Sequence, residues 1–78
     1  MDYNKAIYSY IEKAWKNSGL SKRKFATEYN IEERTLRDIL KKDSSYQISL
    51  PTIYKICEAR NIKVSEFFAN IEKVISEN

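Results

Sequence analysis

Residues 19–40 read GLSKRKFATEYNIEERTLRDIL, and two helix starts follow one another within this stretch. At the first start, Ser21 is a favourable N-cap, and Leu20 and Phe25 stand at the two ends of a hydrophobic staple. These signals predict a helix that runs to about Tyr29. A helix of only about two turns is unstable alone, so it must pack against neighbouring helices.

The second start repeats the staple register, with Ile31 before a cap at Glu32 and Leu36 inside the helix. This helix is predicted to continue to about Lys41, although glutamate is a poor N-cap residue. Only Asn30 is left to turn the chain between the two helices, and asparagine is second to glycine in accepting the left-handed conformation. Two helices joined so tightly are expected to cross at a steep angle.

Three further helices are predicted around this pair from apolar residues at helical spacing. The first runs from about Tyr3 to Asn17 and ends before Gly19, a residue suited to the left-handed helix terminus. The segment from Lys42 to Ile48 has no helical period and is predicted to be a loop. The predicted buried face of the first helix consists of Ile7, Ile11, Ala14 and Trp15.

The last two helices have start signals of their own. Ser49 is the predicted cap of the fourth helix, which holds Pro51 in its first turn and closes at Asn61. Ser65 is the predicted cap of the fifth helix. The predicted buried residues are Leu50, Ile53, Ile56 and Cys57 in the fourth helix, and Phe67, Phe68, Ile71, Val74 and Ile75 in the fifth. We therefore expect an all-α fold of five helices that forms a single domain over residues 1–78.

The composition excludes several classes of protein. The chain has 78 residues and one cysteine, Cys57, so it is expected to form one core without an internal disulfide. It has no apolar run near the roughly 20 residues that cross a bilayer and no signal-peptide pattern, which together with the lone cysteine predict a cytoplasmic protein. Without histidine or a phosphate-binding glycine-rich loop, we expect no enzymatic activity, cofactor, metal or small-molecule substrate.

Residues 19–40, together with SLPTIYKICEARNIKVSEFF at residues 49–68, resemble the helix-turn-helix domain of the Cro and phage-repressor type, the XRE family. Ala26 stands where the family has a small residue between its second and third helices, and Asn30 stands at its turn position. Ile31, Leu36 and Ile39 fall on the family's buried positions. The resemblance covers about residues 19–68 and implies a five-helix, lambda-repressor-like fold in which helices 2 and 3 form the helix-turn-helix.

Two sites depart from the family pattern. Lys22 stands where many members carry glutamine, and Glu32 and Glu33 open the third helix, where members more often carry Ser, Thr, Gln or Arg. The lysine suits a phosphate group, whereas the two carboxylates repel the DNA backbone.

The resemblance implies sequence-specific binding of double-stranded DNA and regulation of transcription, by a repressor or an autoregulating antitoxin. The third helix would enter the major groove, where an arginine can bond to guanine through two donors. The predicted base contacts are Glu33, Arg34, Arg37 and Asp38, and the predicted phosphate contacts are Ser21, Lys22, Arg23, Lys24, Thr35, Lys41 and Lys42. The alternative is that these charges form surface salt bridges or a solvated face.

Two further questions stay open at this level. The acidic residues Glu32, Glu33 and Asp38 are compatible with a rival function, a protein-interaction module that kept the fold and lost DNA binding. The apolar C-terminal helix either packs on the first helix or forms a homodimer, which would suit DNA half-sites about 34 Å apart. Trp15 and Tyr29 are predicted to pack in the core rather than to stack on unpaired bases.

Overall fold

The computed structural model describes residues 3–41 and 47–77, and these residues form five helices and no strand. The helices are α1 (Tyr3–Ser18), α2 (Lys22–Glu28), α3 (Glu33–Leu40), α4 (Leu50–Arg60) and α5 (Val64–Ser76). The prediction of an all-α fold with five helices is confirmed. Residues 42–46, which make up most of the predicted loop, lie outside the described residues.

A single apolar core receives side chains from every helix. Phe25, Leu36 and Phe67 have no exposed surface, and no polar or charged side chain of the described residues is buried. The buried residues are Ala6, Ile7, Ile11, Phe25, Ala26, Ile31, Leu36, Ile39, Ile53, Ile56, Cys57, Phe67 and Ile71. A second group of predicted core residues is only half-buried and packs against this core, namely Ala14, Trp15, Phe68, Val74 and Ile75.

Several helix ends have the local chemistry predicted from the sequence. The hydroxyl of Ser21 accepts a hydrogen bond from the backbone N–H of Lys24 at 3.2 Å, and that of Ser49 accepts one from Thr52 at 3.3 Å. Gly19 follows α1 with φ +71°, in the left-handed region that glycine enters without steric cost. These residues therefore set the starts of α2 and α4 and the end of α1.

The predicted start of α5 is wrong. The helix begins at Val64, so Ser65 lies inside its first turn, and Lys63 is the N-cap. A lysine side chain has no acceptor for a capping bond, but the Lys63 backbone N–H donates to the Glu66 carboxylate at 3.2 Å. The helix therefore starts one residue before the serine, and the Glu66 carboxylate rather than a serine hydroxyl bonds to the backbone at its start.

The predicted burial of Leu50 is also wrong, because this side chain is 51% exposed. Leu50 is the first residue of α4, and helical side chains lean towards the N-terminus of their helix. The side chain therefore projects past the helix end instead of onto the core. Ile53, Ile56 and Cys57, which lie further along α4, are buried as predicted.

The C-terminal helix α5 packs on α1, which is one of the two arrangements that the sequence left open. The rings of Tyr10 and Phe67 meet edge to face, with their centroids 5.6 Å apart. Ile11 from α1 and Ile71 from α5 are both fully buried. The main apolar face of α5 is thus used within the chain, and the homodimer stays a prediction.

Candidate nucleic-acid interface

The connection between α2 and α3 is built on Asn30, which has φ 58°. Its backbone N–H donates to the Thr27 carbonyl at 3.2 Å, and the N–H of Ile31 donates to the Ala26 carbonyl at 2.8 Å. This pair of bonds is the Schellman motif, which satisfies the last carbonyls of a helix and turns the chain away. The two helices are therefore separate elements joined by a rigid turn, as the sequence predicts.

The packing of α2 against α3 depends on a small side chain. Ala26 is 2% exposed and lies on the face of α2 that turns inward, next to the fully buried Phe25. Leu36 and Ile39 of α3 and the linking Ile31 are buried in the same cluster. Because protein interiors are close-packed, a larger side chain at position 26 would have to displace these neighbours.

The start of α2 is held to α1 by the indole of Trp15. The indole N–H donates to the backbone carbonyl of Leu20 at 3.0 Å. The ammonium of Lys22 lies 5.5 Å from the centre of the indole ring, within cation–π range. These contacts orient the first turn of α2, where the side chains of Lys22, Arg23 and Lys24 are all exposed.

The end of α2 is held by a second aromatic residue, Tyr29. Its ring stacks on Phe25 with the centroids 4.0 Å apart, and the guanidinium of Arg60 lies 4.7 Å from its centre. Burial raises the pKa of the Tyr29 hydroxyl, although the positive charge of Arg60 opposes this shift. The ring thus links the turn after α2 to the end of α4.

The third helix has one apolar and one charged side. Leu36 and Ile39 are buried, whereas Arg34, Arg37 and Lys41 are exposed. Residues three, four and seven positions apart share one side of a helix, so these three cations form a ridge that points away from the core. We call Arg34, Arg37 and Lys41 the cationic ridge.

Within this ridge, Arg37 forms an ion pair with Glu33 one turn earlier, joining Nη2 to Oε2. The side chain of Arg37 is 61% exposed and that of Glu33 is 35% exposed. Exposed pairs at this spacing contribute only about 0.3–0.5 kcal/mol, so the pair adds little to the stability of the domain. One of the two candidate arginines is thus in a surface salt bridge, which is the alternative to a base contact.

Charge is unevenly distributed over this surface. Residues 21–41 contain six cations and four carboxylates, and the first turn of α2 contains cations but no acidic residue. The first turn of α3, in contrast, contains Glu33, and Glu32 directly precedes it. Positive charge therefore lies at the start of α2 and along the ridge, and two carboxylates lie at the start of α3.

A family model described as the Cro/C1-type HTH DNA-binding domain matches residues 11–73 of the chain. The chain belongs to this helix-turn-helix family. The match extends beyond residues 19–68 at both ends and takes in part of α1 and most of α5. The comparisons with curated proteins and with solved structures gave no match.

In this Cro/C1-type domain, α2 and α3 are the two helices of the helix-turn-helix, and DNA is the partner that the family implies. The structure divides the predicted base contacts into two groups. Arg34 and Arg37 are exposed, whereas Glu33 and Asp38 are half-buried. The arginines therefore have the greater reach from the helix.

The predicted phosphate contacts lie on two elements of the domain. Ser21 and the three cations that follow it are exposed at the start of α2. Thr35 is half-buried on α3, and Lys41 is exposed directly after this helix. Lys42 lies outside the described residues.

Other groups with reactive chemistry lie apart from this surface. Cys57 is 3% exposed, and burial raises the pKa of its thiol. Over residues 3–41 and 47–77, no cluster of three or more His, Cys, Asp or Glu residues is placed to hold a metal ion. In the same residues, no helix is long and apolar enough to span a membrane.

Two supporting contacts of the Cro/C1-type fold were not predicted from the sequence. They are the position of Lys22 over Trp15 and that of Arg60 over Tyr29. Each joins side chains of different helices, so neither helical spacing nor local capping rules could indicate it. The only signal in the sequence was the placement of aromatic residues at the edges of the apolar stripes.

Proposed function

We propose that this Cro/C1-type domain recognises a specific sequence of double-stranded DNA and regulates transcription in the cytoplasm, as a repressor or an autoregulating antitoxin, without enzymatic activity. The cationic ridge of α3 carries this proposal. Leu36 and Ile39 anchor one side of the helix in the core, and the opposite side presents two arginines and a lysine to solvent. A helix with this arrangement has the shape and charge to enter a major groove.

The proposed base contacts come from α3. Arg34 and Arg37 donate to guanine edges, and Glu33 and Asp38 are placed on the same helix as acceptors for the amino group of cytosine. Arg34 has no ion pair among the described residues, so all the donors of its guanidinium are available for this contact.

The proposed phosphate contacts come from the start of α2, from α3 and from the residues directly after α3. The hydroxyl of Ser21 accepts from the Lys24 N–H and retains its own proton for donation to a phosphate oxygen. The side chains of Lys22, Arg23 and Lys24 add positive charge at the same helix start. Thr35 of α3 and Lys41 after it are further proposed contacts, and Lys42 is proposed from the sequence alone. Phosphate contacts of this kind set the register of the protein on the duplex.

We further propose that residues 1–78 act as one domain that binds DNA as a homodimer. The principal extents of the molecule are 30 × 28 × 24 Å, each shorter than the roughly 34 Å between half-sites one DNA turn apart. Two copies therefore fit side by side on one face of a duplex. Sedimentation of the protein with a two-half-site duplex should give a complex of two chains, whereas a complex of one chain would contradict the dimer.

The decisive experiment is a selection of bound sequences from random duplex DNA. The wild-type protein should enrich one motif, and Arg34→Ala and Arg37→Ala should each lose preference at particular base pairs. Lys73→Ala is the matched control, because it removes an exposed positive charge from α5, outside the helix-turn-helix. Retention of the same motif with the same strength by both arginine variants would show that the base contacts are wrongly assigned.

The rival function is a protein-interaction module that has lost DNA binding. It is favoured by the carboxylates of Glu32, Glu33 and Asp38 around α3, which repel a polyanion. A DNA-binding domain should lose affinity for random duplex by about 0.9 log units per log unit of salt for each phosphate contacted. The absence of duplex binding at low salt would favour the rival.

A further inference from the structure

The ion pair on the exposed side of α3 uses only part of the arginine. Glu33 Oε2 contacts Nη2 of Arg37, and a guanidinium has five N–H donors in all. The remaining donors of this 61%-exposed side chain stay accessible while the carboxylate is in place. Arg37 can therefore engage a second acceptor without leaving Glu33.

We propose that Glu33 is a positioning residue that determines specificity: its ion pair withholds the Arg37 guanidinium from the phosphate backbone and presents its remaining donors to a base edge. This inference rests on the proposed function. It assigns Glu33 a role through Arg37, in addition to any direct contact of its own with a base.

The physical reason is the charge of the competing acceptors. A phosphate oxygen carries negative charge, so a phosphate bound by Arg37 either lies close to the Glu33 carboxylate or leaves that carboxylate without its partner. The O6 and N7 atoms of guanine are neutral acceptors, and they can be contacted while the ion pair persists. Glu33 thus penalises non-specific backbone binding more than it penalises a correct base contact.

The chain contains a matched control for this effect. Glu32 precedes Glu33, carries the same charge, is exposed, and makes no capping hydrogen bond with its side chain. Replacing either glutamate with glutamine removes one negative charge from nearly the same place. Only Glu33→Gln also releases Arg37, so a difference between the two variants isolates the ion pair.

The experiment measures duplex affinity over a range of salt concentrations for wild type, Glu32→Gln, Glu33→Gln, Arg37→Gln and the double variant Glu33→Gln/Arg37→Gln. Random duplex and the duplex selected by the wild type are both used. Thermal melting by circular dichroism verifies that each variant is folded.

Glu33→Gln should bind random duplex with a salt slope steeper than that of Glu32→Gln by about 0.9 log units per log unit, which corresponds to one additional phosphate contact. The ratio of its affinity for the selected duplex to its affinity for random duplex should be lower than the same ratio for Glu32→Gln. On the Arg37→Gln background, the Glu33 substitution should add no more to the slope than Glu32→Gln does alone.

Equal slopes and equal ratios for the two glutamate variants would overturn the inference and leave DNA binding intact. A Glu33→Gln effect that persists without Arg37 would also overturn it, because the effect would then not pass through the ion pair. A wild-type protein that binds no duplex at low salt would overturn the proposed function and this inference together.

Discussion

The molecule contains two nearly identical turns that serve different purposes. Asn30 after α2 and Asn61 after α4 both adopt the left-handed conformation, with φ 58° and 56°. In each case the asparagine N–H donates at 3.2 Å to a carbonyl three residues earlier, and the N–H of the following residue, Ile31 or Ile62, donates to a carbonyl five residues earlier. Local chemistry therefore produces the same turn twice.

The helices that follow these turns differ in what they expose. After Asn30, α3 buries Leu36 and Ile39 and exposes the cationic ridge. After Asn61, α5 buries Phe67 and Ile71 against α1. The same turn can thus precede a helix that keeps an exposed cationic side or one that packs on α1, and the residue pattern of the next helix decides which.

The largest effect on stability should come from a loss of core packing between α5 and α1. Phe67→Ala removes a fully buried ring from α5 and should lower the free energy of unfolding by about 3–5 kcal/mol. Phe68→Ala is the control, because this neighbouring ring is only half-buried and should cost less. Urea unfolding monitored by circular dichroism measures the free energy of unfolding of both variants. Equal decreases would show that Phe67 contributes no more to the core than Phe68 does.

Overpacking the contact between α2 and α3 should have the next largest effect. Ala26→Leu inserts a bulky side chain at a site that is 2% exposed and should cost about 1–3 kcal/mol. Ala59→Leu makes the same change at an exposed site of α4 and should stay within about 0.5 kcal/mol. Equal melting temperatures for the two variants would show that the packing of α2 against α3 does not require a small side chain at position 26.

The equivalence of the two turns can be tested directly at the asparagines. Asn30→Ala and Asn61→Ala should each cost about 1 kcal/mol, because alanine disfavours positive φ, and the glycine variants should avoid most of this loss. On the proposed function, Asn30→Ala should weaken DNA binding more than Asn61→Ala does. Thermal melting measures the stability of these variants, and duplex titrations measure their DNA affinity. Clearly unequal losses of stability for Asn30→Ala and Asn61→Ala would show that the two turns are not equivalent.

The smallest effect on folding is expected at the cationic ridge. Arg34→Ala should change the free energy of unfolding by less than about 0.5 kcal/mol, because the side chain is exposed and outside the core. The same substitution should remove about 1–3 kcal/mol of discrimination at one base pair of the selected duplex. A large loss of stability would instead place Arg34 among the residues that hold the fold.

Local rules predicted many element boundaries because the signals act within one or two turns. Ser21 and Ser49 cap their helices as expected, and Gly19 and Asn30 adopt the left-handed conformation where a helix must end. The same rules failed at Ser65, because α5 starts at Val64, where the Lys63 backbone N–H donates to the Glu66 carboxylate.

For the candidate interface, helical periodicity predicted which side of α3 is apolar, and Leu36 and Ile39 are indeed buried. It also left the pairing of Glu33 with Arg37 open as an alternative, since residues four apart are neighbours on any helix. Periodicity could not indicate that Leu50 would project past the core, because that depends on where the helix begins in three dimensions.

Apolar spacing, cap residues and the left-handed preference of asparagine determined five helices, their amphipathic sides, and the turn at Asn30 that separates α2 from α3. The tertiary structure decided which helices meet. It placed α5 on α1, set Lys22 over Trp15, and brought Arg60 to Tyr29. Capping and periodicity are properties of neighbouring residues, whereas these contacts join distant segments and exist only once the core has brought the helices together.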